Sequence, residues 1–194
     1  MVEIVRIDIV TEVSMMSSHN AYPFEGHFET VLHMMGYLKG RHNYRLAMEP
    51  KYPTVNEYSF KTQDWSQQYG NIKEAIPINA PLPRGNELVL RMMADSDHLG
   101  DDTDRRSHTG YMIFVNMALI YWLSKKQATV EKAVFGSEFV AMTHGFETLR
   151  GLCYKLRMMG VFIDGPTYVY GDNMYVIFNI SRPESQLKNK SNSV

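Results

Sequence analysis

Five aspartates fall within ten residues at Asp95-Ser-Asp97-His-Leu-Gly-Asp101-Asp102-Thr-Asp104. Carboxylates at that density need cations or water around them. The plainest reading is a solvated loop. A calcium loop of the EF-hand type is excluded. Asp95, Asp97 and Gly100 fit its positions one, three and six, but Leu99 stands at five and Arg106 at twelve, where a bidentate glutamate is required. Asp95 differs from its neighbours in closing an expected strand, where a sheet presents residues to solvent or to a ligand. Glu138, in Gly136-Ser-Glu-Phe-Val-Ala141, sits beside an apolar helical stripe, three residues after Phe135 and four before Met142. Desolvating such a carboxylate is costly without a cation, although a glutamate near a helix N-terminus is also favoured by the dipole alone. Asp172, in Tyr168-Val-Tyr-Gly-Asp-Asn173, follows a second expected strand and also suits a helix N-cap.

Two carboxylates at strand ends and one on a covering helix can converge on one edge of a sheet. Three such groups do not all stay ionised without a compensating cation. Magnesium or manganese matches an all-oxygen donor set. Two such ions, about 3.5–4 Å apart, activate a water and stabilise the leaving oxygen in phosphodiester cleavage.

The elements that must hold these groups are legible from periodicity. Leu88 to Ala94, Gly110 to Asn116 and Ala118 to Leu123 read as strands, the last two around a tight connection. Phe135, Phe139, Met142, Phe146, Leu149, Cys153 and Leu156 alternate steps of four and three, which predicts a long amphipathic helix ended by Gly160. Thr167 to Tyr170 is a short strand, and a further helix starts near Asn173. Residues 89–194 thus form an α/β unit. Residues 50–88, broken by Pro53, Pro77, Pro81 and Pro83, read as an irregular connector. Residues 1–49 read as helical. Phe28, Val31, Leu32, Met35 and Leu38 share one face between Pro23 and Gly40, and Ile7 to Met16 forms a shorter helix before them.

The chain has 194 residues, 44% of them apolar, enough for a packed core and far from a disordered composition. Twenty basic residues against 21 acidic ones exclude a uniformly basic coat. A single cysteine, Cys153, excludes an internal disulfide and a cysteine-based zinc site, and it reads as a small core residue. Glu3, Arg6, Asp8 and Glu12 interrupt any signal-peptide core. The longest uncharged run, Thr109 to Ser124, is shorter than the roughly 20 residues of a membrane span. An intracellular protein with no membrane partner is expected.

The motifs also carry a family likeness. Asp95-Ser-Asp-His-Leu-Gly-Asp101, Arg105-Arg-Ser-His-Thr-Gly-Tyr111, Ile120-Tyr-Trp-Leu-Ser-Lys-Lys-Gln127, Ser137-Glu-Phe-Val-Ala141 and Gly171-Asp-Asn173 follow one another in a specific order and spacing. The series resembles the ribonuclease H domain of copia-type LTR retrotransposon polyproteins. Upstream, His27-Phe-Glu-Thr-Val-Leu-His33 and Tyr37-Leu-Lys-Gly40 look like the end of the reverse transcriptase region that precedes it.

The resemblance implies a ribonuclease H-like mixed sheet with covering helices over 89–194, a connector over 50–88, and the thumb-like helical end of the reverse transcriptase over 1–49. It implies hydrolysis of the RNA strand of an RNA–DNA hybrid, with two Mg2+ or Mn2+ ions. Asp95, Glu138 and Asp172 match the family's metal-binding and catalytic carboxylates, with Asp97 as the alternative to Asp95. Arg105, Arg106, Lys125, Lys126, Ser137 and Asn173 are the expected nucleic-acid contacts. The rest of the polyprotein is the expected partner, in a cytoplasmic particle or the nucleus. The family carries a fourth acidic residue on a later helix, after a fifth strand. The sequence stops at Val194 before either, and Met174-Tyr175 stands where the family has Gln-Ser. Weak or absent hydrolysis is therefore expected of the chain alone. The alternative is a catalytically dead remnant that at most binds nucleic acid or a partner.

Overall fold

The computed structural model describes residues 6–56, 60, 64–70, 75–100, 104–163 and 165–182. Asp101 and Asp102 of the acidic run lie outside the described residues. The molecule is mixed α/β, with one four-stranded sheet.

Alternation builds the sheet. In β1 (Leu90–Asp97), Leu90, Met92 and Ala94 are buried while Met93 and Asp95 are exposed, the period-two pattern of a strand with one covered face. β2 (His108–Val115) runs antiparallel to β1, with Asp95 opposite Gly110. β3 (Ala118–Lys126) returns antiparallel to β2 after a two-residue turn at Asn116-Met117. Asn116 takes the left-handed conformation there, at φ 53, which asparagine tolerates better than most residues. Its side chain also ties the connector to the sheet: Nδ2 donates to the Pro50 carbonyl at 3.0 Å, and Oδ1 accepts from the Val89 amide at 3.0 Å. β4 (Tyr168–Tyr170) lies parallel to β1 on its other side, giving the order β3-β2-β1-β4.

The parallel pair needs a crossover, and the long helix supplies it. This helix (Val134–Met158) presses Met142 and Leu149 onto Leu90, Met92, Ala94, Tyr111 and Ile113. Gly145 sits at the closest approach, where an added Cβ would lie 2.6 Å from Met92 Sδ. Gly160 ends the helix at φ 77, and the Val161 amide returns to the Leu156 carbonyl. The covered face centres on Gly136, Ser137, Ala141 and Gly145 beside Met142 and Leu149. The expected aromatic stripe is displaced to one side. Phe139 and Phe146 line an open groove of about 690 Å³ with Val169 and Ile180, because the three residues of β4 are too short to cover them. Leu149 is 3% exposed within the core. Leu149→Ala is expected to cost about 3 kcal/mol, read from the urea midpoint.

Before the sheet, a 3-10 turn (Ile7–Ile9) leads into the helix Val10–Ser17, which packs on β3 and buries Ile9. The following helix, Glu25–Gly40, forms where periodicity predicts it, yet none of its residues is buried. Its apolar positions Phe28, Leu32 and Met35 are exposed. Its tie to the preceding turn is polar: Arg6 and the Tyr37 hydroxyl both donate to Asp8. Of the described connector residues, only Ser66–Tyr69 forms a helical turn. No helix among the described residues is long and apolar enough to cross a membrane. In chain order these helices are α1 (Val10–Ser17), α2 (Glu25–Gly40), α3 (Ser66–Tyr69) and α4 (Val134–Met158), with α5 (Met174–Ile180) after β4.

Candidate metal centre

Register brings the first two carboxylates together. Met93 of β1 is level with Tyr170 of β4 in the parallel pair. Asp95, still within β1, and Asp172, just past β4, each stand two residues further on, so they lie level towards the same end of two neighbouring strands. Gly171 lets this edge close on α4: an added Cβ would lie 2.7 Å from Met142 Cε. Glu138, in the first turns of α4, completes the group. One carboxylate oxygen from each of Asp95, Glu138 and Asp172 lies within 4.8 Å of the others. Asp95 and Asp172 are exposed, and Glu138 is half-buried. Among the described residues this is the set of carboxylates close enough to hold a metal ion, and Asp97 is not in it.

Two of the three are oriented by the backbone or by a neighbour. The Ser96 amide donates to Asp95 Oδ1 at 2.7 Å. Asn173 caps α5, its Oδ1 accepting from the amides of Tyr175 and Val176 at 3.0 and 3.3 Å. Its Nδ2 faces Glu138 Oε1 at 3.5 Å. Asn173→Ala removes both functions and is expected to cost about 1 kcal/mol of stability. It should also raise the Glu138 pKa further, measured by NMR titration of the side-chain carboxyl.

The electrostatics are those of a crowded site. Burial, followed by the charge of Asp172, pushes the Glu138 carboxyl from 4.5 up to about 7; the Asn173 amide opposes this, and Asp95 adds to it. Glu138 therefore holds its proton close to neutrality. A divalent cation can replace that proton, and hard oxygen donors suit Mg2+ or Mn2+.

The expected nucleic-acid contacts divide. Lys125, exposed, is level with Thr109, which is level with Ser96 at the acidic end of β1. Arg105 is also exposed. Lys126 and Arg106 both meet Asp104, at 2.8 and 3.5 Å, so Asp104 serves these cations and not the centre. Asn173 is engaged as cap and neighbour of Glu138. Ser137 corrects the sequence reading: it is 0% exposed, and a fully buried side chain has no surface to offer a nucleic acid. Its hydroxyl bonds inside the fold.

Periodicity missed three residues near the centre. Ser96 and His98 approach the Ser137 hydroxyl at 3.0 and 3.3 Å. Gln127 is buried and bridges Thr109 and Ser137. Polarity alone makes Ser96 and His98 look like loop residues. The usable signal was Gln127, a polar side chain directly after a strand that runs through the core.

Comparison with known proteins gives this geometry a context. The chain is 29% identical over 102 residues, 53% of its length, to the retrovirus-related Pol polyprotein from transposon RE2 of Arabidopsis thaliana. It is 28% identical over 102 residues to that from transposon RE1 of the same plant. The chain is related to retrotransposon Pol polyproteins. This Pol-related chain spans 7% of the length of each of those two proteins. It is also 31% identical over 74 residues to secreted RxLR effector protein 161 of Plasmopara viticola, covering 38% of this chain and 52% of that protein. No family model matches the chain, and no solved structure matches it.

Proposed function

We propose that the Pol-related chain carries a ribonuclease H-like module over residues 89–194, which hydrolyses the RNA strand of an RNA–DNA hybrid. On this reading residues 1–49 are the end of the preceding reverse transcriptase region and 50–88 the connector. The observation that carries it is the meeting of Asp95, Glu138 and Asp172 at one sheet edge, in a chain related to retrotransposon polyproteins. A mixed sheet with one parallel pair and a covering helix supports a ribonuclease H-like fold.

Asp95, Glu138 and Asp172 would hold two Mg2+ or Mn2+ ions. When bound, such ions supply an activated water and stabilise the leaving oxygen of a phosphodiester. The protein's own contribution is to gather three anionic ligands before metal arrives. Ser96 and Asn173 fix two of them in orientation. Arg105 and Lys125 are exposed cations suited to phosphate, with Arg106 and Lys126 behind them on Asp104. Phosphate contacts position a duplex without reading its sequence, so hydrolysis indifferent to sequence follows. The rest of the polyprotein is the natural partner.

A labelled RNA–DNA hybrid incubated with the protein tests this. Weak cleavage, confined to the RNA strand, is expected in Mg2+, with none after chelation. A hybrid that is bound but stays intact in both Mg2+ and Mn2+ would overturn hydrolysis and leave a binding module.

A further inference from the structure

We propose that the hydrogen-bonded hydroxyls of Ser96 and Ser137, anchored by Gln127, are the positioning device that fixes Asp95 against Glu138 and so sets the affinity for a divalent cation. The inference rests on the metal-centre reading above. Ser96 and Ser137 are the chain neighbours of the two carboxylates they would position. Ser96 Oγ donates to Ser137 Oγ at 3.0 Å, and Ser137 Oγ donates to the Val134 carbonyl at 2.9 Å. His98 Nδ1 lies 3.3 Å from the same oxygen. With its hydrogen given to Val134, the hydroxyl accepts from Ser96, and from His98 when Nδ1 carries the ring proton; these partners fix its direction.

Gln127 closes the arrangement. Its Nε2 donates to the Ser137 carbonyl at 2.9 Å and to Thr109 Oγ1 at 3.0 Å. Thr109 is level with Ser96 in the β1–β2 ladder. Ser96, Thr109, Gln127 and Ser137 therefore form a ring joining the end of β1 to the first turns of α4. Ser137 and Gln127 are 0% and 5% exposed, so water competes little for these bonds. Ser96 also acts locally, since its amide holds the Asp95 carboxylate. Asp95 is thus held on one side of the clasp and Glu138 starts on the other. Neighbours that orient metal ligands typically matter by about 10–100-fold in affinity.

Mn2+ binding at pH 8, followed by the EPR signal of the free ion, tests the clasp with no need for catalysis. Ser96→Ala is expected to weaken Mn2+ affinity about tenfold. Ser96→Thr keeps the hydroxyl and should restore affinity to near the wild-type value. Tyr111→Phe is the matched control. It removes another bond between the sheet and α4, from Tyr111 Oη to Thr148 Oγ1 at 2.8 Å, away from the carboxylates. It should lower the melting temperature and leave Mn2+ affinity unchanged. Unchanged affinity in Ser96→Ala, or an equal loss in Tyr111→Phe, would overturn the clasp while the metal centre stands. A wild-type protein that binds no Mn2+ would overturn the metal centre itself and the clasp with it.

Discussion

Glu138→Gln is expected to remove hybrid cleavage, by about 10²–10³-fold or more, while making the metal-free protein more stable at pH 8. The two effects have one cause. The folded chain holds the Glu138 carboxyl at about 7 against an ordinary 4.5, first through burial and then through Asp172. A group whose pKa is raised on folding binds its proton more tightly in the folded state. That stabilisation is fully present below about pH 4.5 and is lost as pH rises through about 7. At pH 8 Glu138 has lost its proton in the folded site, and folding works against its burial and the charge of Asp172. Glutamine keeps the shape and removes the charge. Because Glu138 is only half-buried, solvent screening reduces the gain to about 1 kcal/mol, read as a higher urea midpoint at pH 8. The gain should vanish at pH 4, where the wild-type carboxyl is already neutral. A variant less stable than wild type at pH 8 would mean that the triad is not a site of stored repulsion. Asp172→Asn should share the gain, since the Asp172 charge is the largest pairwise cause of the shift.

Such a site is visible in the sequence only in part. The strands, the long helix and its glycine stop follow from alternation and from three-four spacing, because those patterns report which face is buried. Asp172 is legible because it follows a strand and Asp95 because it is expected to close one; β1 in fact runs on to Asp97, and the parallel register levels the two. Two things escaped the pattern. Periodicity places apolar residues on one face of α2, but it does not say what covers that face, and among the described residues Phe28, Leu32 and Met35 remain exposed. The stripe on α4 is similarly offset, because a small residue sets the closest approach to the sheet: at Gly145 the contact is with Met92. A hydrophobic count weights phenylalanine over glycine, whereas close packing selects the residue that lets backbones approach. Ser137 was misjudged for a related reason. A serine beside a candidate ligand looks available, but burial is a property of tertiary packing that neighbouring residue types do not reveal.

Metal binding itself is expected to be steeply pH-dependent, and the same proton sets the slope. Cation binding requires an ionised Glu138, so each binding event near neutrality displaces the proton that Glu138 holds. With that proton leaving at about 7, about nine-tenths of the sites are open at pH 8 and about one-tenth at pH 6. Apparent Mn2+ affinity should therefore fall about tenfold from pH 8 to pH 6, and about a further tenfold by pH 5. Calorimetry in two buffers of different ionisation enthalpy would count about one proton released per site at pH 6 and almost none at pH 8. Three ordinary exposed aspartates and glutamates would be fully ionised throughout this range and would show no slope. An affinity flat between pH 6 and pH 8 would thus refute the crowding of Glu138. Glu138→Gln supplies the internal check: with the titrating group gone, whatever Mn2+ affinity survives should lose the roughly tenfold fall between pH 8 and pH 6 that belongs to Glu138.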